Sequence, residues 1–144
     1  RRFDALFDGR PTPAAVASLT DEQLRAVGFS SQKVRYIRDL SARVADGSVP
    51  LKKVNELSDE DVIQSLTQVK GIGRWTAEMF CIFTLKRLDV WPVGDYGVRA
   101  GWARAYGLSD LPTPKALEAE GERFRPYRTF AAWYCWRSLE SGGG

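Results

Sequence analysis

Several residue types on which many enzymes depend are scarce or missing in this chain of 144 residues. It contains no histidine, two cysteines and a single methionine. Without histidine the chain cannot use an imidazole as acid or base, and two cysteines are too few for a zinc finger or an iron–sulfur cluster made by this chain alone. Cys81 and Cys135 lie far apart within apolar stretches, which favours buried free thiols in a reducing compartment over a disulfide.

Long apolar runs and a strong net charge are also missing. No run approaches the roughly 18 apolar residues that a membrane span needs, and the chain does not open on a signal-peptide pattern. The formal net charge is only +3. That balance is compatible with nucleic-acid binding but does not argue for it, because many unrelated proteins are as basic. We expect no membrane partner and no cofactor.

Signals that begin and end helices recur along the chain, whereas the alternation typical of β-strands is scarce. Residues suited to cap helix N-termini are Thr12, Thr20, Ser58 and Thr113. Pro13 and Pro114 follow two of these caps at the first helical position, and Gln23 completes a capping box with Thr20. Gly28 and Gly47 are placed to end helices.

The second half of the chain continues this helical pattern. One helix is predicted from about Arg74 to Leu85 and another over residues 125–140. The apolar edges of two consecutive helices are predicted to be Val62, Leu66 and Val69 in the first, and Thr76, Met79, Phe80 and Phe83 in the second. Because no long linker separates the helices, we predict one compact all-α domain over residues 1–139 and a flexible tail over residues 140–144.

The stretch VKGIGRWTAEMF, residues 69–80, places two glycines directly before a helix. Four residues, KGIG, are too few for anything but a tight hairpin, in which Gly71 and Gly73 can take positive φ and leave their N–H groups bare. Ile72 between them can turn inward. Bare amides at a helix N-terminus bind anions, so this hairpin can grip a nucleic-acid backbone without reading its sequence. The alternative is a tight corner between two helices and nothing more.

Three blocks in order make the chain resemble a known superfamily. LTQVKGIGRWTAEMF, DVWPVGDYGVR and RPYRTFAAWYCWR are similar to blocks of the helix-hairpin-helix (HhH-GPD) DNA glycosylases, and most closely to the 3-methyladenine (alkylpurine) DNA glycosylase II family. The similarity runs from about Phe3 to Leu139 and includes TDEQLRAVGFSSQKVRYIRDLS. It implies the superfamily's helical fold. The family's N-terminal helices, with a glutamine-rich segment that fills the gap left by a flipped base, have no match in this sequence.

The resemblance implies that Asp95 is the catalytic aspartate. Breaking an N-glycosidic bond makes the sugar resemble an oxocarbenium ion, which a nearby carboxylate can stabilise or help water to attack. Alkylated purines already carry positive charge and leave readily, so a general acid is not obligatory. The alternative is that Asp95 caps the helix YGVRAGWARAY, and both roles can hold at once.

Trp75 occupies the position at which superfamily members that also cut the DNA backbone carry a Schiff-base lysine. The resemblance therefore implies base release without strand cleavage. It places Trp75, Met79, Tyr96 and Trp136 in a pocket for a flipped cationic base, where aromatic faces add stacking and cation–π attraction. Trp136 could equally be a core residue. We assign Trp91, Trp102 and Trp133 to core packing.

The same resemblance assigns the hairpin residues Lys70, Gly71, Ile72, Gly73 and Arg74 to the DNA backbone. Lys70 replaces a proline common in the family, which implies a looser hairpin or a lysine that meets a phosphate. Arg99 and Arg128 could hold phosphates, and a solvated helix face explains them as well. No metal held by side chains is expected, and a monovalent cation on the hairpin carbonyls stays open.

The function implied is base excision repair by a monomeric glycosylase of the bacterial cytoplasm and nucleoid. Its substrate would be double-stranded DNA that carries alkylated purines such as 3-methyladenine and 7-methylguanine. The alternative is a helix-hairpin-helix module that binds DNA backbones without catalysis. An adenine glycosylase that acts on mismatches is disfavoured, because the cysteine cluster usual there is absent.

Overall fold

The computed structural model describes residues 2–7 and 10–141, and within those ranges it is helical without any strand. The α-helices are α1 Pro13–Ser18, α2 Asp21–Ala26, α3 Ser31–Ala45, α4 Asp59–Thr67, α5 Arg74–Phe83, α6 Tyr96–Ala105, α7 Pro114–Gly121 and α8 Arg128–Glu140. Short 3₁₀ helices span Asp4–Phe7, Leu51–Glu56 and Glu122–Phe124. The all-α prediction is confirmed. Of the predicted tail, Glu140 belongs to α8 and residues 142–144 lie outside the described residues.

The chain forms two compact units, residues 1–73 and residues 74–144. In the first unit, local caps start the helices as predicted. Thr12 accepts a hydrogen bond from the Ala15 amide, and the capping box of Thr20 with Gln23 is complete. Ser58 caps α4, whose first turn is acidic. These helix starts are therefore confirmed. The sequence could predict them because a cap depends only on residues within one turn of it.

Each of the four α-helices of the first unit buries apolar side chains. The buried apolar residues of this unit are Val16, Leu24, Val34, Val49, Val62, Ile63, Leu66 and Val69. The Arg38 guanidinium on α3 donates to the carbonyls of Val16 and Leu19 and pairs with Asp21 at 2.8 Å. Since these acceptors lie on or next to α1 and α2, Arg38 fixes both short helices to α3. The predicted apolar edge of α4 is confirmed.

The second unit is built on a close contact between α6 and α8. A Cβ atom added at Gly101 would lie 2.0 Å from the carbonyl oxygen of Cys135, so only glycine allows this approach. Around the contact lie Trp91, Val98, Trp102, Leu117, Ala131, Ala132 and Cys135. Both cysteines are buried free thiols, as predicted, and burial raises the pKa of Cys135 to about 11.

Two predictions about buried faces are wrong. Trp133 is 50% exposed, although Trp91 and Trp102 lie in the core as predicted. On α5 the buried residues are Ala77, Glu78, Cys81 and Ile82, whereas Thr76 and Phe83 of the predicted edge are exposed. Both helices carry large apolar residues around most of their circumference, so their spacing does not single out one face. Helix α5 also ends at Phe83, two residues before the predicted Leu85.

Arg99 and Arg128 make contacts within the fold, so the interpretation that they lie on a solvated helix face is wrong, and a role at phosphates stays a prediction. Arg99 donates to the Pro112 carbonyl at 2.9 Å, and Arg128 pairs with Asp89 at 2.8 Å. Burial alone would raise the pKa of Asp89, but the hydrogen bonds from Arg128 and the charges of Arg128 and Arg125 bring this pKa below its ordinary value. The sequence could not reveal this pairing, because Asp89 precedes α8 by a long stretch of chain.

Candidate functional site

Asp95 occupies the N-cap of α6 and is 9% exposed. Its own amide donates to the Pro92 carbonyl at 3.0 Å, which closes the turn before the helix. Its carboxylate oxygen Oδ2 accepts from the Val98 amide at 2.9 Å. The capping interpretation is therefore confirmed. It leaves room for chemistry, because a carboxylate offers about four lone-pair positions and this bond uses one.

Two tryptophan side chains from distant helices converge on the same carboxylate. The indole Nε1 of Trp75 donates to Oδ1 of Asp95 at 2.5 Å, and that of Trp136 donates to Oδ2 at 2.8 Å. Trp75 belongs to α5 and Trp136 to α8, so three helices meet at one acidic group. Three N–H donors on two oxygens hold the carboxylate in a single orientation.

Exposed aromatic side chains bind this carboxylate or stack on Trp136, which binds it. Trp75 is 53% exposed, and Phe83 stacks on Trp136 with ring centroids 5.7 Å apart and planes inclined by 23°. Trp133 lies 6.5 Å from the Phe83 ring. The sequence predictions missed Phe83 and Trp133 as members of this cluster. A signal for Phe83 was its spacing, because it follows Trp75 by two helical turns on the same face of α5.

Gly97, in the first turn of α6, makes room for the Trp136 indole. A Cβ atom added there would lie 2.8 Å from Cδ1 and 2.9 Å from Nε1 of Trp136. Because carbon atoms in ordinary contact stay farther apart than this, any side chain at position 97 would displace the indole. Glycine inside a helix is unfavourable by about 1 kcal/mol relative to alanine, which is the sequence signal that points to a close approach.

The other two predicted pocket residues, Met79 and Tyr96, are close in sequence to Trp75 and Asp95. Met79 follows Trp75 by one turn of α5 and is partly buried, and Tyr96 follows Asp95 directly and is 70% exposed. In the part of the chain that the structure describes, neither side chain hydrogen-bonds to Asp95. Hydrogen bonds thus connect Trp75 and Trp136 to Asp95, and the side chains of Met79 and Tyr96 take no part in them.

The predicted hairpin forms between α4 and α5. Of the two glycines that can take a positive φ, Gly71 does so, with φ of +87°, and Gly73 does not. The Lys70 amide donates to Asp39 at 2.8 Å and the Ile72 amide to the Val69 carbonyl at 3.1 Å. Among residues 2–7 and 10–141, no acceptor pairs with the amides of Gly71 or Gly73.

The side chains of the hairpin differ in their surroundings. Ile72 is partly buried and lines a groove of about 270 Å³ with Tyr36 and Val69, so it turns inward as predicted. The Lys70 side chain is exposed, and the first residue of α5, Arg74, has its Nε atom 3.7 Å from the Glu78 carboxylate. The unpaired amides of Gly71 and Gly73 follow the exposed Lys70 in sequence, and unpaired amides of this kind suit an anion.

The described residues contain no group of three or more side chains of the kinds that hold a metal ion. Within the same ranges, every helix is too short or too polar to cross a bilayer.

Known proteins are similar to this chain in both sequence and fold. The chain is 40% identical over 129 residues to the DNA-3-methyladenine glycosylase 1 of Schizosaccharomyces pombe, covering 89% of this chain and 57% of that protein. A Bacillus halodurans DNA-3-methyladenine glycosidase structure matches with a TM-score of 0.88 and 37% identity, over 99% of this chain and 65% of the other.

A second solved structure is the Schizosaccharomyces pombe 3-methyladenine DNA glycosylase in complex with abasic DNA. It matches with a TM-score of 0.81 and 37% identity, over 96% of this chain and 69% of the other. Residues 1–126 match the family described as HhH-GPD superfamily base excision DNA repair protein. The chain therefore belongs to the HhH-GPD superfamily of base excision DNA repair proteins.

Proposed function

We propose that this chain is a monofunctional DNA glycosylase that hydrolyses the N-glycosidic bond of alkylated purines in duplex DNA. The observation that carries the proposal is the Asp95 carboxylate, held by the indole N–H groups of the exposed Trp75 and of Trp136, on which the exposed Phe83 stacks. A carboxylate that only caps a helix does not need two tryptophans from other helices. A module that only binds DNA backbones would have no use for this arrangement, so that alternative is not favoured.

The chemistry assigned to Asp95 is electrostatic. As the bond between base and sugar breaks, positive charge develops on the sugar, and a fixed negative charge beside it lowers the energy of that transition state. The donors on both oxygens keep the carboxylate oriented, so little reorganisation is needed when the charge appears. An alkylated purine such as 3-methyladenine or 7-methylguanine carries its own positive charge and leaves as a neutral base.

The aromatic cluster provides the selectivity in this proposal. A flipped cationic base would stack on exposed indole and phenyl faces, of which Trp75, Tyr96 and Phe83 are about half exposed or more. Electron-rich rings attract a cation by roughly 0.5–2 kcal/mol each, depending on how well water is excluded. Selection by charge more than by shape favours several alkylated purines over one. Trp75 offers no amine, so no Schiff base forms at that position and the DNA strand stays uncut.

DNA binding is assigned to the hairpin. The amides of Gly71 and Gly73 and the Lys70 side chain would contact a phosphate of the backbone, and Arg74 is assigned to the DNA backbone as well. The similarity to a 3-methyladenine DNA glycosylase solved with abasic DNA supports duplex DNA as the partner. We infer that the chain acts as a monomer, on DNA of the bacterial nucleoid.

The activity is proposed for a chain that spans 57% of the length of its Schizosaccharomyces pombe relative. The test is therefore direct. The chain is incubated with duplexes that carry one 7-methylguanine or one 3-methyladenine, and the released base is measured by mass spectrometry. Free alkylated base and alkali-labile abasic sites are expected, with none from the undamaged duplex. Binding to the duplexes without base release would contradict the proposal and favour a module that only binds DNA.

A further inference from the structure

Two side chains of helix α3 contact the hairpin of residues 69–73. Oδ2 of Asp39 accepts a hydrogen bond from the Lys70 backbone amide at 2.8 Å. The ring of Tyr36 lies so close to Gly71 that a Cβ atom added there would be 2.3 Å from the ring carbon Cδ2. Because Tyr36 and Asp39 are three residues apart, they share one face of α3. That face therefore contacts two consecutive residues of the hairpin.

These contacts determine which hairpin amides stay available. The Lys70 amide is used by Asp39, and the Ile72 amide is used by the Val69 carbonyl. Gly71 takes the positive φ that brings its backbone over the Tyr36 ring. Within the described ranges, the amides of Gly71 and Gly73 keep no partner of their own. The amides of residues 70 and 72 are thus bound within the fold, and those of residues 71 and 73 are not.

We propose that Asp39 and Tyr36 are positioning residues of the DNA-binding hairpin, which hold it in the conformation that leaves the Gly71 and Gly73 amides for a phosphate. The inference rests on the proposed function, because it takes the hairpin as the phosphate contact. It gives residue 70 two separable roles, an amide that anchors the hairpin and a side chain that meets the DNA. From the sequence, a looser hairpin is one consequence expected of lysine at position 70. The contacts with Asp39 and Tyr36 indicate a held hairpin instead.

A carboxylate beside an anion site needs its charge offset, and the structure supplies this. Nε of Arg43, one turn after Asp39 on α3, lies 3.2 Å from the same Oδ2 atom. The Lys70 amide, and then Arg43 and the Lys70 charge, hold the pKa of Asp39 below its ordinary value against the effect of burial. An ionised, fixed acceptor at this place suits an anchor for one amide.

Four substitutions separate the anchoring amide from the charge of Lys70. Asp39→Ala removes the acceptor, and Asp39→Asn keeps an acceptor without charge. Lys70→Pro removes the amide hydrogen and the charge, whereas Lys70→Ala removes only the charge. Asp46→Ala is the matched control, because Asp46 is an acidic residue at the end of the same helix that accepts from the Ser48 amide at 2.8 Å. Thermal unfolding reports the stability of each variant.

Affinity for an undamaged duplex and for one with an uncleavable abasic analogue is measured by fluorescence anisotropy at several salt concentrations. Asp39→Ala and Lys70→Pro are expected to weaken binding to both duplexes by about tenfold, and Asp39→Asn by less than about twofold. Lys70→Ala is expected to lower the salt dependence by about one phosphate contact. The double variant Asp39→Ala/Lys70→Pro should lose little more than Lys70→Pro alone, because Lys70→Pro has already removed the bond that Asp39→Ala removes.

Folded Asp39→Ala protein that binds DNA as the wild type does would overturn the inference. The inference would also be overturned if Asp46→Ala lost DNA affinity in proportion to its loss of stability. Weaker binding would then follow from general destabilisation and not from the hairpin. If wild-type protein binds DNA and these variants weaken it while no base is released, the proposed function fails and the positioning role stands. If base release is normal in Asp39→Ala at every DNA concentration, the positioning role fails alone.

Discussion

Replacing Gly97 by alanine tests whether the Trp136 indole must reach Asp95. The added Cβ atom would start 2.8 Å from Cδ1 of Trp136, so the ring would have to move by about 0.6 Å to restore ordinary contact. Separating the helices to make room would break the close packing of the Gly101 backbone against Cys135, one turn later. The indole must therefore turn, and its 2.8 Å hydrogen bond to Asp95 is lost or lengthened.

The size of the effect differs between stability and catalysis. A hydrogen bond to a charged group contributes about 1.5–3 kcal/mol, while alanine gains up to about 1 kcal/mol over glycine within a helix. The free energy of unfolding should thus fall by about 1 kcal/mol. Excision depends on where the carboxylate lies, and a displacement approaching 1 Å reduces rates by up to about a hundredfold. We expect Gly97→Ala to lower single-turnover excision of 7-methylguanine by roughly tenfold or more.

Controls come from neighbouring positions. A Cβ atom at Gly94, one residue before Asp95, meets no atom within 4 Å, so Gly94→Ala should leave excision nearly unchanged. In a Trp136→Phe background, Gly97→Ala should cost nothing further, because the bond it breaks is already gone. Wild-type excision by Gly97→Ala, with the Trp136 indole N–H resonance unmoved in the NMR spectrum, would refute this reasoning.

Three further predictions concern the hairpin, the reaction and the fold. Gly73→Val should weaken binding to every DNA sequence by roughly 1–3 kcal/mol, because the fold has room for the side chain but the amide would be covered; unchanged anisotropy titrations would contradict this. Borohydride should trap no covalent complex with DNA, because Trp75 replaces an amine; a trapped band on a denaturing gel would show an unforeseen nucleophile. Asp89→Asn should lower the free energy of unfolding at pH 7 by about 1–2 kcal/mol, as measured by urea denaturation. Because the pKa of Asp89 is lower in the folded state than its ordinary value of 3.8, the wild type should lose this extra stability as the pH falls through and below 3.8. Equal stability of both proteins at pH 7 would contradict the prediction.

Local features of the fold were predictable from the sequence, and contacts between distant segments were not. The helix starts at Thr12, Thr20 and Ser58 follow from hydrogen bonds within one turn, so the residue types suffice. The exposure of Trp133 was not predictable, because α8 carries aromatic residues on several faces. Gly73 shows a similar limit, since glycine permits a positive φ without requiring it.

The candidate site divides in the same way. Resemblance to a family pointed to Asp95, Trp75 and Trp136 one by one, from three separate blocks of sequence. Their meeting at one carboxylate depends on the packing of α5, α6 and α8, which no single block encodes. Gly97 could have been noticed as a glycine within a helix, yet its partner Trp136 follows only from the three-dimensional structure.

The measurement that tests the central claim most directly compares Asp95→Asn with the wild type. Asparagine keeps the shape of the side chain and caps helices as well as aspartate does, but it lacks the charge. If Asp95 stabilises positive charge on the sugar, excision of 7-methylguanine should fall by roughly a hundredfold or more. Affinity for a duplex with an uncleavable abasic analogue should hold or rise, because repulsion from the phosphates is removed. An Asp95→Asn protein with wild-type stability and wild-type excision would contradict the account.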